Sequence, residues 1–155
     1  MIKIMFVCHG NICRSPMAEF LLKDLVEKKG DSANFLIKSS ATSSEELGNP
    51  VHYGTKGVLD RLNISCAGKR AVKLSAKDYD SYDYFIGMDG ANVSNMKRLF
   101  GGDAKGKVSM LLDYAGESRD VADPWWTGDF EQTYLDVKKG VESLYEQLKK
   151  VANKK

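Results

Sequence analysis

The sequence predicts an α/β fold with a parallel sheet, and three observations support that prediction. Short apolar runs alternate with helical segments along the chain, as strands and helices do in such folds. The first run, at residues 2–7, is apolar and partly β-branched and ends in a polar turn, which is typical of a buried parallel strand. The last segment, at about residues 130–151, repeats apolar residues at helical spacing.

The elements between these two follow in order. Further strands are predicted at residues 35–37, 84–88 and 108–112, where apolar runs are bounded by polar stretches. Further helices are predicted at residues 17–29, 51–62 and 91–99, the first of which carries apolar residues on one side and charged residues opposite. No repeat and no linker interrupts this pattern, so we expect one domain over residues 1–155.

Composition excludes several classes of protein. The 155 residues are 43% hydrophobic and 28% charged, as in a soluble globular domain. The net charge of +2 is too small to indicate binding to nucleic acid or to a membrane surface. No apolar run approaches the roughly 20 residues of a membrane span, and the N-terminus lacks the features of a signal peptide. Three cysteines, an odd number, argue against a disulfide framework, so we expect a cytoplasmic protein.

The loop after the first strand combines a nucleophile with a guanidinium. Cys8 and Arg14 are separated by five residues, among them Gly10 and Asn11, which both tolerate left-handed backbone angles. Such a turn lets consecutive N–H groups point inward and form an anion-binding nest, and the fork of Arg14 can grip two phosphate oxygens. A lone cysteine is more often a small buried hydrophobe, but the strand before it and the turn within the loop favour a reactive thiol.

A helix start follows directly. Ser15 is predicted to be the N-cap and Pro16 to take the first helical position. The partial positive charge of this helix end favours the thiolate form of Cys8, placed for in-line attack on a bound phosphate ester. The leaving oxygen also needs a proton. The best carboxylic acid for that task is Asp123, in the run 122–126, although a turn aspartate beside packing aromatics remains the alternative.

Taken together, these residues resemble the low-molecular-weight protein tyrosine phosphatases. The motif Cys-x-Gly-Asn-x-Cys-Arg-Ser near the N-terminus and the late Asp-Pro carry a resemblance that covers essentially the whole chain. It implies a three-layer α/β fold in which a four-stranded parallel sheet is flanked by helices, with the phosphate-binding loop after the first strand. It also implies a two-step phosphatase mechanism with no metal and no cofactor.

The resemblance assigns roles to individual residues. Cys8 is the expected nucleophile, which forms a cysteinyl-phosphate, and Arg14 binds the phosphoryl group and stabilises the transition state. Asp123 protonates the leaving group and then activates water. Ser39, after the second strand, is expected to support the phosphate-binding loop. The other loop residues implied are His9 at the rim, Asn11 as a brace, Ser15 as the hydroxyl that supports the thiolate, and Gly10, Ile12 and Cys13.

The two remaining thiols have different expected roles. Cys13 matches the family's second loop cysteine, and in that role it forms a reversible disulfide with Cys8 that protects the nucleophile from further oxidation. The alternative for Cys13 is a buried loop thiol without a redox role. Cys66 has no match in the motif and is expected to be structural.

The sequence departs from the family pattern around the expected substrate cleft. Glu45 stands where an aromatic platform is often found, so we expect weaker binding of phosphotyrosine peptides with acidic flanks. Trp125 and Trp126 follow Asp-Pro, where Tyr or Phe is common, and their larger rings could rebuild the aromatic wall. Lys69 stands near the place of a histidine that braces the loop asparagine, so either Lys69 compensates or the loop is looser.

The expected substrate is a phosphotyrosine-containing protein, with a tyrosine kinase as a candidate partner and a monomer or weak dimer as the expected state. Three rival functions stay open. Arsenate reduction on the same scaffold needs two further cysteines, and only Cys66 remains. Phosphoarginine phosphatases tend to have Thr where Ile12 stands. A catalytically weak phosphate-binding or interaction module would be expected to lack Cys8 or Asp123, and both are retained.

Overall fold

A computed structural model describes residues 1–152, and a four-stranded sheet lies at their centre. All neighbouring strands are parallel, in the order β2-β1-β3-β4. The strands are β1 (Ile2–Cys8), β2 (Phe35–Ala41), β3 (Tyr84–Gly87) and β4 (Val108–Met110). The predicted α/β fold with a parallel sheet is therefore confirmed.

Helices cover both faces of the sheet. They are α1 (Arg14–Lys28), α2 (Tyr53–Arg61), α3 (Gly90–Leu99), α4 (Pro124–Thr127) and α5 (Phe130–Ala152). Because side chains alternate along a strand, Ile4 and Phe6 of β1 pack with α1 and α5, while Met5 and Val7 pack on the other face beside Met96 of α3. The result is the expected three-layer arrangement, and β1 is buried on both sides.

The long C-terminal helix α5 approaches the end of the sheet closely. Its buried stripe includes Val137, Val141 and Leu144, which belong to the main core. Gly140 lies in the same stripe, where an added Cβ atom would stand 2.5 Å from Cγ of Leu111. Glycine is therefore required at this position by close packing rather than by its backbone angles.

Strand β2 is longer than predicted. The polar residues after Ile37 suggested that the strand ended there, but it continues to Ala41. Ser39 and Ser40 pair with Phe6 and Val7 of β1 and are buried. Ser39 therefore lies within the strand, not after it, because partners in the core and in the neighbouring loop satisfy its hydroxyl.

The predicted strand at 108–112 is shorter than expected. The ladder with β3 ends at the pair Gly87 and Met110, and the next residues form a 3-10 turn, Leu111–Ala115. The two leucines at 111 and 112 are fully buried, in contact with the core beneath α5. Their burial explains the apolar pattern that resembled a continuing strand. Across residues 1–152, no helix has both the length and the apolar character needed to cross a membrane.

Candidate active site

The carboxyl ends of the central strands converge on one cleft. Cys8 is the last residue of β1 and is aligned with Ala41 at the end of β2, and Gly87 ends β3 beside Val7. Ligands bind at this edge in open parallel sheets. The cleft has a volume of about 460 Å³ and is lined by Cys8, His9, Gly10, Ile12, Cys13, Arg14, Glu45, Glu46, Asp123, Trp125 and Trp126.

Helix α1 starts earlier than predicted, which changes the role of Ser15. The helix begins at Arg14 after Cys13, and no side chain caps it, so Ser15 and Pro16 lie inside the first turn. The Ser15 hydroxyl instead lies 3.0 Å from the Cys8 sulfur. The N–H groups of an uncapped first turn are available to an anion, and Ser15 is available to the thiol.

Asn11 holds the loop in its turned shape. Its φ of 60° is left-handed, which Asn tolerates, and its backbone N–H points at the Cys8 sulfur at 3.3 Å. The side-chain amide donates to Ser15 and to Ser39, at 2.9 Å each, and its oxygen accepts from the Val72 backbone N–H at 3.1 Å. Since both amide protons of Asn11 are used, Ser15 accepts from Asn11 and can donate its own proton to Cys8.

A buried carboxylate lies behind this amide. Ser39 donates its hydroxyl proton to Glu19, whose side chain is 3% exposed. Lys69 donates to the backbone oxygen of Ser39 at 3.0 Å and lies 3.6 Å from Glu19. Burial lowers the pKa of Lys69, against the opposing effect of Glu19. Lys69 thus occupies the space behind the loop and contacts the residues that hold Asn11.

Arg14 is fixed by two carboxylates and a carbonyl. One terminal nitrogen lies 2.8 Å from Asp89 and 2.9 Å from the Val121 carbonyl, and the other lies 3.5 Å from Asp123. Burial acts to lower the pKa of Arg14, but the Cys8 sulfur, Asp89 and Asp123 outweigh it and raise that pKa. The guanidinium is therefore a fixed positive charge at the base of the cleft.

Asp89 is the site residue that sequence reasoning did not single out. It follows β3 directly after Met88, so its place at the carboxyl end of a parallel strand was a usable signal. One of its oxygens holds Arg14, and the other accepts from the Asn92 backbone N–H at 2.8 Å, capping α3. Asp89 therefore orients Arg14 without lining the cleft.

Asp123 lines the cleft together with residues of the loop. It is the N-cap of α4 and accepts from the Trp125 backbone N–H at 3.0 Å. Its second oxygen faces Arg14, and its side chain is 26% exposed. The rigid turn expected at Asp-Pro is a four-residue helix that presents this carboxyl group to the cleft.

The three cysteines are all free thiols, and they occupy two environments. Cys8 and Cys13 both line the cleft. Burial, with a further contribution from the nearby Cys8, raises the pKa of Cys13 to about 12, so Cys13 is a neutral thiol at physiological pH. Cys66 lies apart, in a small apolar cluster with Leu59 and Ile64. A disulfide between Cys8 and Cys13 stays a prediction.

The rim of the cleft has an acidic side and an aromatic side. His9 and Glu45 are joined by a 2.9 Å contact between Nε2 and a carboxylate oxygen, with both side chains more than half exposed. The Glu46 side chain packs over Gly10, where an added Cβ would stand 3.3 Å from its Cγ. Trp125 and Trp126 are 54% and 82% exposed. A flat group entering between these sides would meet indole surface and carboxylates.

Comparison with known proteins shows which family the chain belongs to. The sequence pattern of the low molecular weight phosphotyrosine protein phosphatases matches residues 3–154. The chain belongs to this family. Low molecular weight protein-tyrosine-phosphatase YfkJ of Bacillus subtilis is 40% identical over 97% of each chain, and PtpA of Staphylococcus haemolyticus is 37% identical over 100% of this chain and 99% of its own.

Solved structures of this phosphatase family have the same fold. The crystal structure of YfkJ matches with a TM-score of 0.94, over 97% of this chain and 96% of that one. SP-PTP, the low molecular weight protein tyrosine phosphatase of Streptococcus pyogenes, matches with a TM-score of 0.86 at 41% identity, over 96% and 93% of the two chains. Among residues 1–152 of the present phosphatase, no group of three acidic, His or Cys side chains is arranged to hold a metal ion.

Proposed function

We propose that this chain hydrolyses phosphotyrosine in proteins, with Cys8 as the nucleophile, Arg14 as the phosphate ligand and Asp123 as the general acid. The observation that carries the proposal is the convergence of these three side chains on one cleft. A thiol, a buried guanidinium and a carboxyl group in one cleft are the groups that transfer of a phosphoryl group from an aryl ester requires.

In the first step the Cys8 thiolate attacks phosphorus and a sulfur–phosphorus bond forms. The bond between phosphorus and the tyrosine oxygen breaks, and Asp123 gives its proton to that oxygen. Arg14 and the N–H groups of the loop bind the phosphoryl oxygens, whose charge is spread most widely in the transition state. Ser15 and the backbone N–H of Asn11 stabilise the thiolate before attack and after release.

In the second step water attacks phosphorus in the cysteinyl-phosphate. The Asp123 carboxylate accepts a proton from that water, the sulfur–phosphorus bond breaks, and inorganic phosphate leaves. Cys8 returns as a thiolate and Asp123 as a protonated acid, so the enzyme is regenerated without any co-reactant except water. The same carboxyl group serves as acid and then as base, as the position of Asp123 at the cleft edge allows.

The test is hydrolysis of p-nitrophenyl phosphate in the presence of EDTA. Wild-type protein is expected to turn over, Cys8→Ser to be inactive, and Asp123→Asn to lose a factor of about 10²–10⁴ in kcat, the usual effect of removing a general acid or base. Cys66→Ser is the matched control, since its thiol lies outside the cleft. An inactive but folded and reduced wild type, or an active Cys8→Ser variant, would exclude this mechanism.

Substrate choice is tested with matched phosphorylated peptides. We expect turnover of a phosphotyrosyl peptide and negligible turnover of a phosphoarginyl peptide of the same sequence. We also propose that the physiological substrates are proteins modified by a tyrosine kinase in the cytoplasm and that the chain acts as a monomer or weak dimer. The odd number of cysteines supports a reducing compartment. Sedimentation measures the oligomeric state. Faster turnover of the phosphoarginyl peptide would reassign the substrate.

A further inference from the structure

His52 is one of two histidines in the chain, and the reaction described above does not use it. Its backbone N–H donates to the carbonyl of Ile12, in the phosphate-binding loop, at 2.9 Å. Its ring Nδ1 accepts from the Gly54 N–H at 3.1 Å and so caps α2. Because Nδ1 accepts, the proton of the neutral ring is on Nε2. His52 is therefore fixed both to the loop and to a helix start.

The ring of His52 lies flat against Phe130, the first residue of α5. The two ring centroids are 5.1 Å apart with an interplanar angle of 13°. Phe130 also packs against Ile12 and Cys13 of the loop, and it fills the space over Gly54, where an added Cβ would stand 2.5 Å from the ring. The position of the imidazole relative to the phosphate-binding loop is thus set twice, by its backbone and by this stack.

The ring of His52 also contacts the aromatic side of the cleft, which is formed by Trp125 and Trp126. Trp125 and His52 are in edge-to-face contact, with centroids 5.6 Å apart and an interplanar angle of 76°. Trp125 stands on the four-residue helix α4 and is 54% exposed. Each ring that contacts a half-exposed side chain on so short a helix restricts the orientation of that side chain. His52 thus links the indole to the loop that carries the nucleophile.

We propose that His52 is a positioning residue, which holds the Trp125 indole where the aryl ring of a bound substrate packs. The proposal rests on the proposed function, because it requires an aryl phosphate in the cleft. It assigns to His52 a part of the affinity for the aryl group, and none of the affinity for the phosphate group itself. These two affinities can be measured separately.

Two substitutions separate the ring of His52 from its capping role. His52→Asn keeps a side-chain acceptor for the helix start and removes the ring, whereas His52→Phe keeps a ring and removes the acceptor. For His52→Asn we expect the KM for p-nitrophenyl phosphate to rise by about 3- to 10-fold, the equivalent of one aromatic pair. The Ki for inorganic phosphate should change by much less. His52→Phe should keep a low KM and melt at a lower temperature.

A spectroscopic measurement reports on the indole directly. The chain has two tryptophans, so Trp126→Phe leaves Trp125 as the single source of indole emission. In that background His52→Asn should raise the acrylamide quenching constant and move the emission to longer wavelength. Leu135→Ala is the control, since it removes a half-exposed apolar side chain of α5 that does not line the cleft. Neither reading should move in the control.

The outcomes separate this inference from the proposed function. Wild-type turnover with an unchanged KM in His52→Asn would overturn the inference and leave the phosphatase intact. An equal rise in KM and in the Ki for phosphate would also overturn it, because the loop rather than the aromatic side would then be disturbed. No turnover by the wild type would overturn the proposed function and, with it, the inference that rests on that function.

Discussion

Replacing Asp89 with Asn removes the carboxylate that holds Arg14 and leaves an acceptor for the start of α3. One Asp89 oxygen accepts from Arg14 at 2.8 Å, and the other accepts from the Asn92 N–H at 2.8 Å at the start of α3. Asparagine is as good an N-cap as aspartate. The variant keeps the helix start through its single oxygen, but it presents an amide NH2 group to Arg14, so the hydrogen bond with the guanidinium is lost.

The size of the effect follows from the burial of the pair. The side chain of Arg14 is 3% exposed and that of Asp89 is 18% exposed, so water screens the pair weakly. A hydrogen bond to a charged group contributes about 1.5–3 kcal/mol, against about 1 kcal/mol between neutral groups. Asp123 and the Val121 carbonyl still hold Arg14 after the change. We expect the free energy of unfolding to fall by about 1.5–3 kcal/mol, the contribution of the one charged hydrogen bond that is lost.

Urea denaturation of wild type and Asp89→Asn measures this loss. Activity should fall as well, by up to about 10²-fold in kcat/KM, since a small displacement of a positioning group is sufficient for such a loss. The control is Asp60→Asn, which removes the same charge from an exposed pair with Lys56 and should change neither quantity. A variant as stable and as active as wild type would show that the Asp89 carboxylate does not hold Arg14 in solution.

Three further predictions concern charged side chains. Glu45→Gln should reduce the preference of wild type for basic over acidic flanks in phosphotyrosyl peptides, by about 2- to 5-fold in kcat/KM at low salt. Lys69→Met should lower the free energy of unfolding by about 1–3 kcal/mol, because the buried Glu19 loses a cation 3.6 Å away and the Ser39 carbonyl loses a hydrogen-bond donor. The hydrogen bond from Arg119 lowers the pKa of Asp136 below its ordinary 3.8. The stability that this contact contributes is therefore complete above pH 3.8 and is lost as the pH falls through the lower pKa of the folded state. Asp136→Asn should remove that acid-dependent loss.

Each of these has a control and a contradicting result. Glu27→Gln, an exposed change on α1 away from the cleft, should leave peptide preference as in wild type. Equal turnover of both peptides by wild type would remove the role given to Glu45. Lys69→Arg should recover most of the stability lost in Lys69→Met, and an unaltered urea midpoint in the Met variant would contradict the expected contact. Parallel acid titrations of wild type and Asp136→Asn would contradict the linkage.

Local patterns in the sequence were sufficient for the elements whose burial follows a regular period. The apolar run predicted β1 and the helical spacing predicted α5, because each pattern repeats regularly along its element. The observed bounds of both elements are close to the predicted ones. Ser39 and Ser40 show where this fails. Polar residues suggested a loop, but neighbours from α1 and the phosphate loop satisfy Ser39 inside the strand, and those contacts come from distant parts of the chain.

The same limit applies to the cleft. Cys8, Arg14 and the turn between them lie within one short segment, so their spacing was informative. The Asp89 partner of Arg14 is 75 residues away along the chain, and its role depends on how two strands align. The N-cap expected of Ser15 was wrong for a related reason. Its hydroxyl lies 3.0 Å from the Cys8 sulfur and does not cap the helix.

The position of Cys8 has a consequence for the dynamics of the protein. It is the last paired residue of β1, a strand that is hydrogen-bonded on both edges and whose residues 4–7 are nearly inaccessible to solvent. Segments of this kind exchange their amide protons only when the whole domain unfolds, whereas loops open locally. Amides of β1 should therefore be among the slowest to exchange, while those of α4 exchange early. The nucleophile that we propose, Cys8, thus lies on a segment expected to open among the last, and the proposed acid, Asp123, lies beside one expected to open among the first.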